Sequence, residues 1–372
     1  MGITIGIDLG TTNTFVSYVD KNGKVICIKC NREVGGGGLS LPSVSCFESR
    51  NEYYIGSRAK KMLKLNPAAG VRDFMTRIGN DEHYLITPYE GEPFKLRPRD
   101  IVKLFLNKLI IGIEDRYLKR DGLIDKAVIA VPADFNLMQK GEIRRAALEA
   151  GLDSVILISE PIAIAIAYEH DRNNKNPNSV ILICNLDQYK FDVSIVLRQD
   201  NSFELIAMTG DKTVGDNALT ERLIEAILKR IEDKHGLEML SGADEYLLKM
   251  DVAYTADMIK AQMSSEEDIA TEILPDPVGN LHMVTFTRAE YEDLIDEEIN
   301  RMLTDINKVI NDAKRCGVSM ITGAILTGES EGLPWIKNIF ESCLSIGIES
   351  EADFYYTGRC TADGAALFDL KN

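Results

Sequence analysis

The strongest constraint on this chain is that it repeats itself. Ile3, Ile5 and Ile7 alternate with small or polar residues and predict one strand face. A Gly-Thr-Thr-Asn turn follows, then a second strand over Phe15-Val16-Ser17-Tyr18-Val19. Asp20-Lys21-Asn22-Gly23 reads as a hairpin turn into a third strand over Val25-Ile26-Cys27-Ile28. The same order returns with Val180-Ile181-Leu182-Ile183, a turn from Asn185 to Lys190, a strand over 191–196, a turn over 198–201 and a strand over 203–206. Val16-Ser17-Tyr18-Val19 and Val193-Ser194-Ile195-Val196 are 177 positions apart, and so are Asp8 and Asn185.

The later part of each half repeats too. Ala127 to Pro132 predicts a buried strand, Asn136 to Ala150 a helix ended by Gly151, Val155 to Ile158 a strand, and Pro161 to Tyr168 a small-residue helix. Their counterparts are Ala324-Ile325-Leu326, a helix over Pro334 to Leu344, a segment near Gly347-Ile348, and an Ala-rich helix with Ala362, Ala365 and Ala366. Two such copies predict a duplicated α/β fold with a cleft between its halves, and ligands at the strand ends that face the cleft. Two insertions interrupt the copies. The first, about 36–105, begins in the glycine run Gly35 to Gly38 and reads as short strands; the run itself reads as a loop. The second, about 218–295, reads as mainly helical, with Leu219 to Arg230 and Glu245 to Met263 at helical spacing.

Charge excludes some functions. The 372 residues hold 42 Lys and Arg against 58 Asp and Glu, a formal charge of −16. General nucleic-acid binders and binders of anionic membranes need a basic footprint, so neither partner is expected. No stretch is apolar for the 18 or so residues of a membrane span. Seven scattered cysteines read as reduced thiols, and the start lacks a secretory signal pattern, so a cytoplasmic location is expected.

The sharpest chemical motif is Ile5-Gly6-Ile7-Asp8-Leu9-Gly10-Thr11-Thr12-Asn13. An apolar strand delivers a carboxylate, then a glycine and two hydroxyl residues in a tight turn. Backbone N–H groups and hydroxyls there can ring a phosphate, and the carboxylate can hold a hydrated Mg²⁺. On these residues alone an ordinary hairpin with Asp8 as turn former reads equally well.

Further motifs break that tie. GIDLGTTNT, VIAVPADFN, EPIAIAIAY, the FDVS of the second hairpin, MTGDKTVG and KAQMSS, in this order, resemble the ATPase domain of the seventy-kilodalton heat-shock chaperone family. The resemblance covers the whole chain. It implies an actin-like ATPase fold: two duplicated ribonuclease-H-like lobes with inserted subdomains around a nucleotide cleft. With the repeat boundaries, 1–35 and 106–179 become lobe IA, 36–105 lobe IB, 180–217 and 296–372 lobe IIA, and 218–295 lobe IIB. It also implies ATP or ADP with Mg²⁺ as cofactors.

Carried over residue by residue, the resemblance gives a divided site. Asp8, Gly10, Thr11, Thr12 and Asn13 match the first phosphate loop, with Asp8 toward Mg²⁺. Glu160 matches the acidic residue that orients the attacking water. Asp192 matches the second acidic residue of the second loop, a catalytic and weak Mg²⁺ position. Gly215, Asp257, Lys260, Ser264, Gly328 and Ser330 match nucleotide contacts, Asp257 standing for a glutamate. The second phosphate loop departs: Asp-Leu-Gly-Gly-Gly-Thr-Phe-Asp becomes Asn185-Leu186-Asp187-Gln188-Tyr189-Lys190-Phe191-Asp192. A carboxylate is lost at Asn185. Three glycines that let backbone approach phosphate are lost at 187–189. Lys190, in place of threonine, either attracts phosphate or pairs with Asp187. Met75 stands where the family has its catalytic lysine, and Arg77 is two residues away. Gly328 to Pro334 lacks the arginine of Gly-Gly-x-x-Arg-x-Pro, and Ala261 follows Lys260 where the family has an arginine. The family's late aspartate falls near Gly358.

Smaller signals read blandly. Cys27 and Cys30 have CxxC spacing, but on a strand they point to opposite faces and no second pair follows. His83, His170, His235 and His282 read as surface histidines, Trp335 as a helix-start packing residue. The acidic run from Glu292 to Glu298 reads as a solvated helix face, preceded by a capping box of Thr287 and Glu290.

The expectation is therefore a divergent chaperone-type nucleotide-binding domain with weak ATP or ADP binding and impaired hydrolysis. It would act in protein folding as a partner of chaperones and co-chaperones, ribosome-associated ones included. The alternative is an active ATP-hydrolysing domain whose peptide-binding domain is missing from this chain, since Asn372 falls where family members continue into a linker and that domain. A sugar kinase on the same fold is set aside, because the motifs match the chaperones along the whole chain.

Overall fold

The alternation of Ile3, Ile5 and Ile7 builds a strand whose Ile5, Ile7 and Leu9 are buried. The computed structural model describes residues 3–31, 38–117, 123–172, 177–235, 243–263, 268–275, 279–318, 320–328, 334–344, 347–350 and 358–371. The chain divides into two compact units. One is Met1–Pro177 with Gln199–Glu204 and Gly358–Asn372; the other is Asn178–Arg198 with Leu205–Thr357.

The first unit runs β1 (Ile3–Leu9), β2 (Asn13–Val19), β3 (Val25–Cys27), β4 (Leu41–Pro42), β5 (Ser45–Phe47), β6 (Tyr53–Ile55), α1 (Gly56–Leu65), β7 (Gly70–Val71), β8 (Tyr84–Ile86), β9 (Phe94–Leu96), α2 (Pro98–Tyr117), β10 (Ile124–Val131), α3 (Leu137–Glu149), β11 (Ser154–Ser159) and α4 (Glu160–Asp171). Its main sheet has the order β11-β10-β1-β2-β3, with β4 against β2. β10 lies parallel to both β1 and β11. Covering both faces explains the unbroken apolar run of β10. One face packs Ile5, Ile7, Ala127 and Ile129 in a core with Ile101 and Phe105 of α2 and Ile143 of α3. The other face sets Val128, Ala130 and Ile158 with Ala163 of α4. Each fully buried isoleucine contributes roughly 2–3 kcal/mol. Asn136 and Gln139 cap α3 reciprocally, and Gly151 follows it at φ 114°.

The second unit runs β12 (Asn178–Leu186), β13 (Phe191–Gln199), β14 (Ser202–Asp211), α5 (Asp216–His235), α6 (Ala243–Met263), β15 (Ile269–Pro275), β16 (Leu281–Thr287), α7 (Arg288–Leu294), α8 (Asp296–Arg315), β17 (Gly323–Gly328), α9 (Pro334–Leu344) and β18 (Glu349–Ser350). Its sheet has the order β14-β13-β12-β17-β18. Strand for strand this is the first sheet: β12 stands for β1, β13 for β2, β14 for β3, β17 for β10 and β18 for β11. The parallel pairings of β12 with β17 and β17 with β18 repeat as well. The duplication expected from the 177-residue offset is thus present in the topology.

Several elements differ from expectation. Residues 296–372 are expected together in the second half, but the last helix, α10 (Cys360–Lys371), packs on the first unit, against α4, β1, β2 and β10. Two glycines permit this. A Cβ at Gly364 would lie 1.8 Å from the Ala163 carbonyl oxygen, and one at Gly6 would lie 2.2 Å from the Ala366 nitrogen. Polar clamps hold both ends. Ser17 Oγ donates to buried Asp363 at 2.5 Å, and Arg359 pairs with Asp363 at 3.0 Å. Thr4 donates to Asp369 at 3.0 Å, and Lys126 pairs with Asp369. The first insertion, read as ending at 105, closes inside α2. The second insertion, read as mainly helical, contains the antiparallel hairpin β15/β16. His282, read as a surface residue, is buried on β16, because it falls on the same face as Val284 and Phe286. Glu298, read as part of a solvated face, is buried on the inward side of α8 and pairs with Arg222 at 2.8 Å. The Thr287–Glu290 capping box is present. His83 and His170 are exposed. Gly35 to Gly37 and the side chains of His235 and Trp335 lie outside the described residues.

Candidate functional site

In the first unit the predicted residues gather at the carboxyl ends of parallel strands. Asp8 is the penultimate residue of β1, in register with Ala130 of β10, and Ala130 is in register with Ile158 of β11. Glu160 opens α4 two residues beyond Ile158, with Pro161 behind it in the first turn. The two carboxylates therefore share one end of the sheet, two strands or about 10 Å apart.

Between β1 and β2 the chain turns through Gly10, Thr11 and Thr12. A Cβ at Gly10 would stand 2.4 Å from the Asn13 carbonyl oxygen, so the turn closes only around glycine. Ser43 holds the turn from outside: its hydroxyl donates to the Gly10 carbonyl at 2.7 Å, and its N–H donates to the Thr12 carbonyl at 2.8 Å. Ser40 donates to the Asn13 side chain at 2.7 Å. Asn13, expected among the nucleotide contacts, begins β2, with its amide oxygen held by Ser40. No sequence motif announces Ser40 or Ser43, which lie some 30 residues beyond the loop. A glycine turn with two half-buried threonines behind a carboxylate fits a phosphate with its metal.

Met75 occupies a 3₁₀ turn, Phe74–Arg77, and its side chain belongs to the first unit's core with Phe74, Ile78 and Phe105. Arg77, the alternative cation, lies over the Tyr84 ring at 5.2 Å and pairs with Glu82 at 3.6 Å. Met75→Lys should therefore cost stability, about 3 kcal/mol or more in urea unfolding at pH 7, because it buries an ammonium. A buried lysine has its folded pKa depressed. The loss is full below that pKa and is relieved as the pH rises toward the unfolded value near 10.4. An unchanged urea midpoint would show that the side chain at 75 is free to leave the core.

The second unit builds the corresponding turn from charged side chains. Asn185 stands on β12 in register with Thr327, and Leu186 with Gly328 at the end of β17. Gly328 has φ 102°, and a Cβ there would lie 2.6 Å from the Asn185 side-chain oxygen. The Asn185 amide donates to Asp187 at 3.3 Å. Lys190 bonds to Asp192 and stands 3.9 Å from Asp187. Burial pushes the Asp187 carboxyl above its ordinary pKa; Asp192 adds to this, while Lys190 and Asn185 oppose it. A carboxylate at 185 would add a third negative charge beside a single ammonium. Asparagine donates a hydrogen bond there instead.

The turn is also closed from behind. A Cβ at Gly215 would lie 2.5 Å from the Tyr189 carbonyl carbon. The N–H groups of Asp216 and Asn217, at the start of α5, donate to the carbonyls of Asp187 and Gln188, each at 2.9 Å. Those amides would otherwise be available to an anion. With Asp192 carrying an ammonium and the glycines gone, this half does not fit a phosphate with Mg²⁺.

Lys260, expected to contact nucleotide, is held on α6 by Asp216 at 2.5 Å and by Thr220 at 2.9 Å, a pairing between α5 and α6 that no motif announced. Asp257, one turn away on the same helix, is exposed; burial raises its pKa, Asp216 reinforces the shift and Lys260 opposes it. Ser264 and Ser330 lie outside the described residues. Cys27 and Cys30 are both half-buried, and burial pushes the Cys27 thiol up to about 11, which keeps it protonated at neutral pH.

Comparison with known proteins decides the family. The family model for "Hsp70 protein" matches residues 4–86 and 75–351. The chain belongs to the Hsp70 family. It is 30% identical to the chaperone protein DnaK of Thermotoga neapolitana over 340 residues, covering 91% of this chain and 54% of that protein. It is 29% identical to the DnaK of Trieres chinensis, covering 92% and 57%, and 27% identical to that of Thermoplasma acidophilum, covering 99% and 58%. The chain thus spans little more than half the length of these relatives. That part is the Hsp70 nucleotide-binding domain, whose actin-like ATPase fold accounts for the two sheets of equal strand order. The expectation of a divergent Hsp70 member holds.

Proposed function

We propose that this chain is an Hsp70-type nucleotide-binding domain that binds ATP or ADP weakly and hydrolyses it little or not at all. On this reading it acts in protein folding as a partner or co-chaperone of active chaperones in the cytoplasm, ribosome-associated ones included, and its output is a bound conformation rather than turnover. The observation that carries the reading is the second phosphate loop. Asn185 stands where the loop's acid is expected, its cation is tied to Asp192, and the first amides of α5 are bonded to its carbonyls. Met75 adds that the family's lysine is replaced by a core residue. Asp8, Gly10, Thr11 and Thr12 keep the first loop in a form that suits a phosphate, which supports residual binding. The same loop, together with Glu160, favours the rival reading of an active ATPase domain.

Calorimetric titration with ATP and with ADP, each with Mg²⁺ and with a chelator, tests the reading. The expected result is weak affinity that changes less than about threefold, under ~0.7 kcal/mol, when the metal is removed. A large loss of ATP affinity on chelation would show that the metal shell is intact despite Asn185, and would favour the ATPase.

A further inference from the structure

Helix α1 runs against the sign of the chain's net charge. Gly56–Leu65 carries Arg58, Lys60, Lys61 and Lys64 and no acidic residue, in a chain whose formal charge is −16. Gly56, Ala59 and Leu63 are buried, and they leave the four cations exposed. At 3.6 residues per turn, Lys60, Lys64, Ser57, Lys61, Leu65 and Arg58 follow one another around roughly 160° of the helix. Arg58 is set by the Tyr54 ring, 3.6 Å from its guanidinium. Leu65 ends the face and is 83% exposed.

We propose that this face of α1 docks an acidic peptide segment of a partner protein, with an apolar side chain of that segment against Leu65. The inference is independent of whether the chain hydrolyses ATP. The dimensions suit a short peptide: ten helical residues span about 15 Å, the reach of four to five extended residues. A nucleic acid fits less well. Its charges recur every ~1.7 Å along a rod much longer than the helix, and the rest of the chain, at a formal charge of −16, offers it no basic footprint. A membrane would need more apolar anchorage than Leu65 offers on this face. Charge complementarity of this kind gives orientation and a fast encounter, with affinity that falls as salt is added.

The probe is a fluorescein-labelled peptide of six glutamates closed by a phenylalanine, followed by anisotropy against the full chain. Saturable binding is expected at low ionic strength, weakening about tenfold between 50 and 300 mM salt. Lys60→Glu, Lys61→Glu and Lys64→Glu together should weaken it by more than about tenfold, and the milder Gln triple should act in the same direction. Leu65→Ala should weaken it severalfold at every salt concentration. Circular dichroism melts check that the variants fold; if the Glu triple does not, the Gln triple decides. The proposal is overturned if binding is absent, if it survives the Gln triple unchanged, or if a competitor is preferred. The competitors are an oligothymidylate of ~12 nucleotides and phosphatidylcholine vesicles with about 30% phosphatidylserine.

Discussion

Mixed with ATP and Mg²⁺ in single-turnover experiments, the chain should leave the nucleotide hydrolysing near its background rate. Removing one preorganised electrostatic group from a transition state typically costs about 10²–10³ in rate. On the proposed function the position of the family's lysine is filled by a core methionine, Asn185 brings no charge, and the ammonium of Lys190 is held by Asp192. Groups that act as a unit are not additive, so restoring one alone should recover almost nothing. Asn185→Asp alone should even be unfavourable, since it places a third carboxylate beside Asp187 and Asp192. The informative variant combines Met75→Lys, Asn185→Asp, glycines at 187–189 and Lys190→Thr. It frees Asp192, reopens the backbone and returns the carboxylate at 185; it returns the cation as well once the side chain at 75 leaves the core that holds Met75. A gain of about a hundredfold or more over the parent would show an intact scaffold whose chemistry was removed locally. If the unmodified chain already turns over ATP like an ordinary Hsp70, the proposed function is wrong, and Lys190 or Arg77 becomes the first candidate for the missing cation.

Gly364→Ala should be among the most damaging single changes in the chain. The added Cβ would lie 1.8 Å from a backbone carbonyl oxygen of α4, and backbone cannot swing aside as a side chain can. Helix α10 must then lift from the sheet. That strips burial from Ala365 and Leu367 and strains the Ser17–Asp363 and Thr4–Asp369 bonds. A loss of about 3 kcal/mol or more is expected in urea unfolding. Gly347→Ala is the control, because nothing lies within 4 Å of a Cβ there; it should change stability by no more than about 0.5 kcal/mol. Equal effects at the two positions would show that α10 does not pack as described.

The elements that declared themselves in the sequence are those whose local chemistry agrees with their burial. The strands of the repeat alternate in step with the pleat, and Asn136 with Gln139 marks a helix start by a reciprocal bond that needs no tertiary help. The hairpin β15/β16 did not declare itself, because its outer face carries Ile269, Ile273, Leu281 and Met283, all well exposed. Apolar residues on both faces erase the alternation that identifies a half-buried strand. The burial of His282 on this hairpin is hidden in the sequence for the same reason. In the site, the lost glycines and the Asn185 exchange could be read directly from the loop. Lys190, expected to attract phosphate or to pair with Asp187, stands 3.9 Å from Asp187 and bonds to Asp192, a partner the motif comparison does not give. The hold of Ser43 on the first loop and of Asp216 on Lys260 could not be read, because each joins segments far apart in sequence with no motif to link them.

The placement of α10 also fixes an order of assembly. Thr4 and Asp369, hydrogen-bonded to each other, are separated by 365 positions, and Ser17 and Asp363 by 346. A chain emerging from its N-terminus can pair β1, β2 and β10 early, but the sheet face that receives Ala365 has no cover until the entire second unit has been made. During synthesis the first unit therefore waits with Gly6 and the small-residue side of α4 open to solvent, and the second unit has everything its own sheet requires before the first is closed. Long-range contacts of this kind slow folding and lengthen the time during which apolar surface is open to aggregation. A domain from a family of chaperones thus carries, in its own topology, an interval in which it most resembles an unfinished chain.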